Sequence, residues 1–146
     1  MNKKKVSVAL EAYLENIALL ENNLGHVRTS DLAKNMNCRL PSVTNALKRL
    51  ADLELIFYRP YKPVSLTHKG KAAVRKLEKY HEALAEFLNN VLIFPEEFSQ
   101  KEACKLEHVI SPIILSRISK FTSYVSDKDS FIKLKADFIA SLDEQK

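Results

Sequence analysis

The chain has 146 residues, of which 46% are hydrophobic and 28% charged, with 23 Lys and Arg against 18 Asp and Glu, two glycines and no tryptophan. That composition belongs to one globular unit, or to two small ones sharing a core. It excludes a disordered or low-complexity chain, and no apolar run approaches the roughly 18 residues of a membrane span. The basic start, Met1-Asn2-Lys3-Lys4-Lys5, gives way from Val6 to an amphipathic mixture containing Glu11 and Glu15 instead of a secretory apolar core, so a cytoplasmic location is expected. Cys38 and Cys104 stand 66 residues apart and make neither a disulfide framework nor a CxxC motif. Charge is unevenly placed: residues 1–70 hold 11 basic and 6 acidic side chains, residues 71–146 hold 12 of each. A basic half joined to a neutral one suggests that the first meets a polyanion, with nucleic acid the leading candidate.

Val6, Leu10, Tyr13, Leu14, Ile17 and Leu20 recur at three- and four-residue spacing and predict a first helix. After Gly25, Thr29 is placed to cap a short second helix with Asp31 in its first turn and Leu32, Ala33 and Met36 inward. Asn37-Cys38-Arg39-Leu40 then reads as a tight turn, and Pro41 as the first residue of a third helix. In that helix Val43, Leu47 and Leu50 share one face, while Ser42, Thr44, Asn45, Lys48 and Arg49 point elsewhere. Two short helices across a four-residue turn fit a helix-turn-helix. Leu55-Ile56-Phe57-Tyr58 and Val64-Ser65-Leu66-Thr67, either side of Arg59-Pro60-Tyr61-Lys62-Pro63, predict a β-hairpin wing.

Thr67 is placed to cap a long helix through Val74, Leu77, Tyr80, His81, Leu84, Phe87, Leu88 and Val91, which Pro95 ends. Another helix begins at Glu96-Glu97 and reaches about Ile110. Ser111-Pro112 opens a third, through Ile114, Ile118, Phe121 and Val125, and Asp127 or Asp129 caps a last one through Phe131, Leu134, Phe138 and Leu142. The expected fold is thus mainly α: a winged helix-turn-helix DNA-binding domain over residues 1–70, of three helices plus a β-hairpin wing, then an all-helical domain over 71–146. The helices of the second half carry more apolar face than 76 residues can hide, which points to a helical dimer interface.

Cys104, Glu107 and His108 stand at i, i+3 and i+4, so on one helix their side chains converge. His81 falls on the apolar stripe between Leu77 and Leu84, where a titratable ring needs a partner. Taken singly, such a histidine is more often a hydrogen-bonded core residue and such a cysteine a small buried hydrophobe. Together they have metal-ligand spacing, and mixed S, N and O donors suit Fe(II), Zn(II), Co(II) or Ni(II) and accept Mn(II). Cys104 as nucleophile with His108 as base lacks an oxyanion loop, and Gly25 and Gly70 alone make no phosphate-binding loop, so the chain does not read as an enzyme.

Several stretches resemble the diphtheria toxin repressor and manganese transport regulator family of metal-dependent transcription factors. They are Ala12-Tyr13-Leu14-Glu15-Asn16-Ile17, Arg28-Thr29-Ser30-Asp31-Leu32-Ala33, Pro41-Ser42-Val43-Thr44 and Tyr61-Lys62-Pro63-Val64-Ser65-Leu66-Thr67-His68-Lys69-Gly70, together with Glu102-Ala103-Cys104-Lys105-Leu106-Glu107-His108-Val109-Ile110-Ser111 and His81 before it. The resemblance implies an N-terminal winged helix on operator DNA, a helical dimerisation domain that binds the sensed metal, and a homodimer with no membrane partner. It implies metal ligation by Glu15, His81, Cys104, Glu107 and His108. Cysteine at 104 looks like the iron-responsive branch, so Fe(II) is expected ahead of Mn(II), with Zn(II), Co(II) or Ni(II) as substitutes in vitro. Ala12 stands where the family usually places a carboxylate or methionine ligand, and Gln100 and Ala85 where some iron-responsive relatives carry an ancillary His and Glu, which argues against a second metal. Glu54 replaces a frequent glycine before the wing. The SH3-like third domain of longer members is not expected.

The expected activity is metal-dependent repression of metal-uptake genes, with a metal tying the first helix to the dimer half. Ser42, Thr44, Asn45 and Lys48 are the candidates for base edges, and Arg39, Arg49, Arg59 and Lys62 for phosphates. The rival reading is a metal-independent winged-helix regulator that responds to a small ligand or to oxidation of Cys104. A metalloenzyme or metal-storage module is the second rival.

Overall fold

The computed structural model describes residues 6–126 and 128–143, which fall into two compact units, one ending at Lys76 and the other beginning at Leu77. The division lies within a helix that starts at His68, six residues beyond the Gly70 boundary expected from charge and pattern.

In the first unit, α1 (Val8–Leu24), α2 (Thr29–Asn35) and α3 (Leu40–Asp52) are followed by β1 (Ile56–Phe57) and β2 (Ser65–Leu66). The α1 stripe predicted from spacing buries Leu10, Tyr13, Leu14 and Ile17, and Gly25 ends the helix in the left-handed region at φ 70°, its N–H donating to the Glu21 carbonyl at 3.0 Å. Thr29 does not cap α2 but is its first residue; Arg28 is the cap, and its N–H donates to Oδ2 of Asp31 at 2.9 Å. The carboxylate three residues on accepts from the cap residue's own N–H, the reciprocal half of a capping box, which is a different bond from the one a cap hydroxyl makes with the first turn. Pro41 is the second residue of α3, after Leu40, still within the turn where a missing N–H costs nothing. Val43, Ala46, Leu47 and Leu50 from α3 join Leu14, Ile17, Val27 and Leu32 in one core, closed by Leu55, Ile56, Val64, Leu66 and Val74. Full burial of a Leu or Val contributes about 1.5–3 kcal/mol, so this core is what holds α3 and the wing in place.

The wing is shorter than its apolar runs suggest. Its strands pair antiparallel as Ile56 with Leu66 and Phe57 with Ser65, and Val64 N–H donates to the Val27 carbonyl at 2.7 Å. Thr67 caps the next helix as expected: its Oγ1 accepts from Gly70 N–H at 3.0 Å and donates to the Glu54 carbonyl at 2.7 Å. Glu54 has φ 59°, in the left-handed region, which accounts for the glycine that the resemblance leads one to expect there. Its backbone is held by Thr67, and Lys69 Nζ donates to the Leu53 carbonyl at 2.7 Å while meeting the Glu54 carboxylate at 3.4 Å.

α4 (His68–Glu86) passes into a π-helical turn at Phe87–Val91, where a regular helix through Val91 was expected. The chain leaves this turn through Ile93 at φ 62° before Pro95. α5 (Glu96–Leu106), α6 (Pro112–Ser126) and α7 (Asp129–Asp143) complete the second unit. α5 ends four residues short of Ile110, and Glu107, His108 and Val109 form hydrogen-bonded turns, Val109 and Ile110 both donating to the Leu106 carbonyl at 3.0 and 2.9 Å. Ser111 caps α6 through Ile114 N–H at 3.4 Å, with Pro112 first in the helix. At α7 the Lys128 carbonyl accepts from Phe131 N–H at 2.9 Å, so Lys128 precedes the helix and Asp129 opens it; Asp127 lies outside the described residues. Leu84, Ala85, Ala103 and Leu115 make the small core of this unit. Val109, Ile113, Tyr124, Ile132 and Leu134 remain exposed.

Candidate metal centre and nucleic-acid interface

His81, Glu107 and His108 come together in the second unit. α4 presents His81 from the stripe that carries Leu77 and Leu84, and the turn after α5 presents Glu107, which is only 3% exposed. His81 Nδ1 meets Glu107 Oε2 at 2.8 Å, and His108 Nε2 lies 3.5 Å from Oε1 of the same carboxylate. Each oxygen of a buried acid therefore faces an imidazole nitrogen, and a carboxylate taken out of water needs such partners or a cation. On its other side His81 Nε2 meets Gln100 Oε1 at 2.6 Å, and Gln100 Nε2 donates to Glu96 Oε1 at 2.6 Å, which fixes the amide with its oxygen toward the ring. Both ring nitrogens of His81 thus face oxygen atoms.

Cys104 stands on α5, three residues before Glu107, with its side chain exposed. The three side chains were expected on one continuous helix, but only Cys104 is inside it; Glu107 is the C-terminal cap residue, with helical φ −57° and ψ −30°, and His108 lies in the turn. Glu15 is half-buried on α1 of the first unit. Two imidazoles, a buried carboxylate and a thiol one turn away fit a borderline divalent ion by donor chemistry, and they fit neither a hard calcium cage nor an iron–sulfur cluster. Sequence reasoning did not foresee Gln100 as a partner of His81; the Glu96 and Gln100 pair at i, i+4, one turn before Cys104, was the available signal.

In the first unit Arg39 is the N-cap of α3 and is exposed, as are Ser42, Asn45, Lys48 and Arg49; Thr44 is half-buried. Arg59 and Lys62 are exposed on the wing. A shallow depression of about 390 Å³ runs from Ala51, at the C-terminal end of α3, to Arg59, Lys62 and Pro63 on the wing.

The model of the iron dependent repressor N-terminal DNA binding domain matches residues 5–64, and that of the iron dependent repressor metal binding and dimerisation domain matches residues 67–129. Over 124 residues the chain is 37% identical to an HTH-type transcriptional regulator of Methanocaldococcus jannaschii, covering 84% of this chain and 99% of that one. The chain belongs to the iron-dependent repressor family. It is 31% identical over 122 residues to the regulator MntR of Bacillus velezensis, covering 84% and 85% of the two chains. Among solved structures it is similar to the repressor ScaR with bound Zn2+ (TM-score 0.70, 28% identity, 79% of this chain) and to the manganese regulator SloR (TM-score 0.65, 28% identity, 79%). The chain spans about half the length of these two solved regulators, 54% in each case. As a family member it is a metal-dependent DNA-binding transcriptional regulator and not an enzyme. Its two parts are a winged-helix DNA-binding domain and a helical metal-binding and dimerisation domain. Among the described residues no helix is long and apolar enough to cross a membrane.

Proposed function

We propose that this regulator represses metal-uptake genes, that Fe(II) or Mn(II) is its signal, and that it acts as a cytoplasmic homodimer on an operator of two half-sites. The observation that carries this reading is the buried Glu107 carboxylate with His81 at 2.8 Å and His108 at 3.5 Å. His81, Cys104, Glu107 and His108 would hold the ion. A bound divalent cation would supply positive charge beside a carboxylate that burial takes out of water. Exposed Val109, Ile113 and Tyr124 in the second unit supply apolar surface for a second copy.

His81 fixed to Glu107 holds α4 against the end of α5, and the first turn of α4 is bonded into the wing through Thr67 and Gly70. Recognition helices must reach successive major grooves about 34 Å apart, and restraining α4 lowers the entropy of presenting them. A hundredfold gain in operator affinity needs only about 2.7 kcal/mol of coupling, and DNA then tightens metal binding by the same factor. Ser42, Thr44, Asn45 and Lys48 are assigned to base edges, and Arg39, Arg49, Arg59 and Lys62 to phosphates.

Fluorescence anisotropy of duplex DNA from upstream of its own gene, at fixed salt, tests this with chelator and then with anaerobic Fe(II) or with Mn(II). A rise in affinity of about tenfold or more, which is about 1.4 kcal/mol, is expected, and the more potent ion names the signal. Equally tight binding in chelator removes the switch and leaves a metal-independent regulator. His108→Ala is expected to abolish the metal response and keep salt-dependent nonspecific binding. The same titration on Glu15→Gln decides whether the winged-helix unit contributes a ligand.

A further inference from the structure

The imidazole of His81 is held at both ends: Nδ1 meets Glu107 Oε2 at 2.8 Å, and Nε2 meets Gln100 Oε1 at 2.6 Å. A half-turn about the Cβ–Cγ bond would put carbon where each nitrogen stands and lose both contacts. Together they select one orientation for a side chain that is 28% exposed. The two grips differ in kind. Glu107 is buried and stands among the candidate ligands, whereas Gln100 and Glu96 are exposed on α5. Gln100 is itself oriented, because its Nε2 donates to Glu96 Oε1 at 2.6 Å, four residues back on the same helix. An amide whose nitrogen is committed to a carboxylate offers its oxygen to the ring. The chain of contacts thus runs from Glu96 to Gln100, crosses to His81 on α4, and returns to Glu107 at the end of α5. A depression of about 330 Å³, lined also by Glu82, Glu86 and Asn89, lies beside His81 and Gln100, so water would compete for Nε2 if the amide were absent.

An ion bound by Glu107 and His81 together takes Nδ1, the nitrogen beside that carboxylate. The neutral ring then carries its proton on Nε2, and a fixed acceptor for that proton steadies the ring and raises the basicity of the ligating nitrogen. We propose that Gln100 is the positioning residue for His81: with its amide oriented by Glu96, it holds the ring with Nδ1 toward Glu107 and Nε2–H on the amide oxygen. This rests on the reading of His81 and Glu107 as ligands and adds to it the pair that prepares the histidine. Removing a partner of this kind weakens metal binding about 10–100-fold, and the exposure of Gln100 puts the effect at the lower end of that range.

The test uses the full chain and Zn(II), a diamagnetic probe. Affinity is measured by competition with a chelating dye, and the histidine ring nitrogens are followed by long-range proton–nitrogen NMR. In the wild type Zn(II) is expected to shift the Nδ1 resonance of His81 and to leave the proton on Nε2. Gln100→Leu keeps bulk and removes the acceptor. Its Zn(II) affinity is expected to fall about tenfold and its Nε2 proton to exchange faster with solvent, while far-ultraviolet circular dichroism is retained. The double exchange of Glu96→Gln with Gln100→Glu keeps the net charge and sets a carboxylate against the ring, with an amide behind it. Its affinity is expected to return to within about threefold of wild type or to exceed it, because a carboxylate is the stronger acceptor. Wild-type affinity in Gln100→Leu, or Zn(II) on Nε2 in the wild type, overturns the proposal and leaves the metal centre standing. A loss in Gln100→Leu that the double exchange does not recover overturns it as well. Zn(II) that shifts neither nitrogen of His81 overturns the reading of that residue as a ligand, and this proposal with it.

Discussion

Gly70 lies against the carbonyl of Leu55 so closely that a Cβ at position 70 would stand 1.9 Å from that oxygen. The oxygen already accepts from Thr67 N–H at 3.1 Å, so it cannot swing aside without opening the junction between wing and α4. Gly70→Ala is therefore expected to cost about 2–3 kcal/mol, in the upper part of the overpacking range. Urea unfolding followed by circular dichroism reads this directly, and a midpoint within error of wild type would show that the junction yields.

Glu54 presents the opposite case. At φ 59° its side chain costs about 1 kcal/mol, and the ion pair with Lys69, exposed on both partners, returns little of it. Glu54→Gly is expected to stabilise the first unit by about 0.5–1 kcal/mol, the flexibility of glycine in the unfolded chain taking back part of the gain. Calorimetry should show a midpoint raised by a few degrees; a lowered one would mean that the Lys69 pair outweighs the backbone.

Tyr13 sets an alkaline limit. Burial, and then the hydrogen bond and charge of Cys38, push its phenol above the ordinary value of 10.0. The folded chain holds this proton more tightly than the unfolded one, so the contribution is complete below pH 10 and is lost as pH rises through the folded value. Between about pH 9 and 11 the wild-type melting midpoint is expected to fall more steeply than that of Tyr13→Phe. Parallel curves would remove Tyr13 from the account.

Glu107 is the residue on which the second unit turns. Glu107→Gln keeps shape and loses charge, so Co(II) binding, read by its visible absorption, is expected to weaken at least tenfold while far-ultraviolet circular dichroism is retained. Unchanged affinity would place the ion elsewhere.

The elements marked by local chemistry were legible before any coordinates. The α1 stripe, the cap at Thr67 and the Ser111-Pro112 start depend on residues within a turn of one another. The end of α5 was not legible, because Glu107, His108 and Val109 contain no glycine or proline to interrupt the pattern; only the change in hydrogen bonding to the Leu106 carbonyl marks it. The exit through Ile93 was equally hidden, since a β-branched residue is the last to be expected at φ 62°. At the candidate centre, spacing found Glu107 and His108 and the stripe found His81. The bond to Gln100 needs the chain to turn back after Val91 and bring α5 to the end of α4, which no local pattern encodes.

The bond from Val64 to the Val27 carbonyl joins the returning strand of the wing to the segment just before α2. With two residues per strand the wing would otherwise flex at its root, yet this bond and the Thr67 cap anchor both ends of β2. The wing is consequently a lever with a braced fulcrum: a load applied at its tip reaches the segment before α2 through Val64 and the first turn of α4 through Thr67.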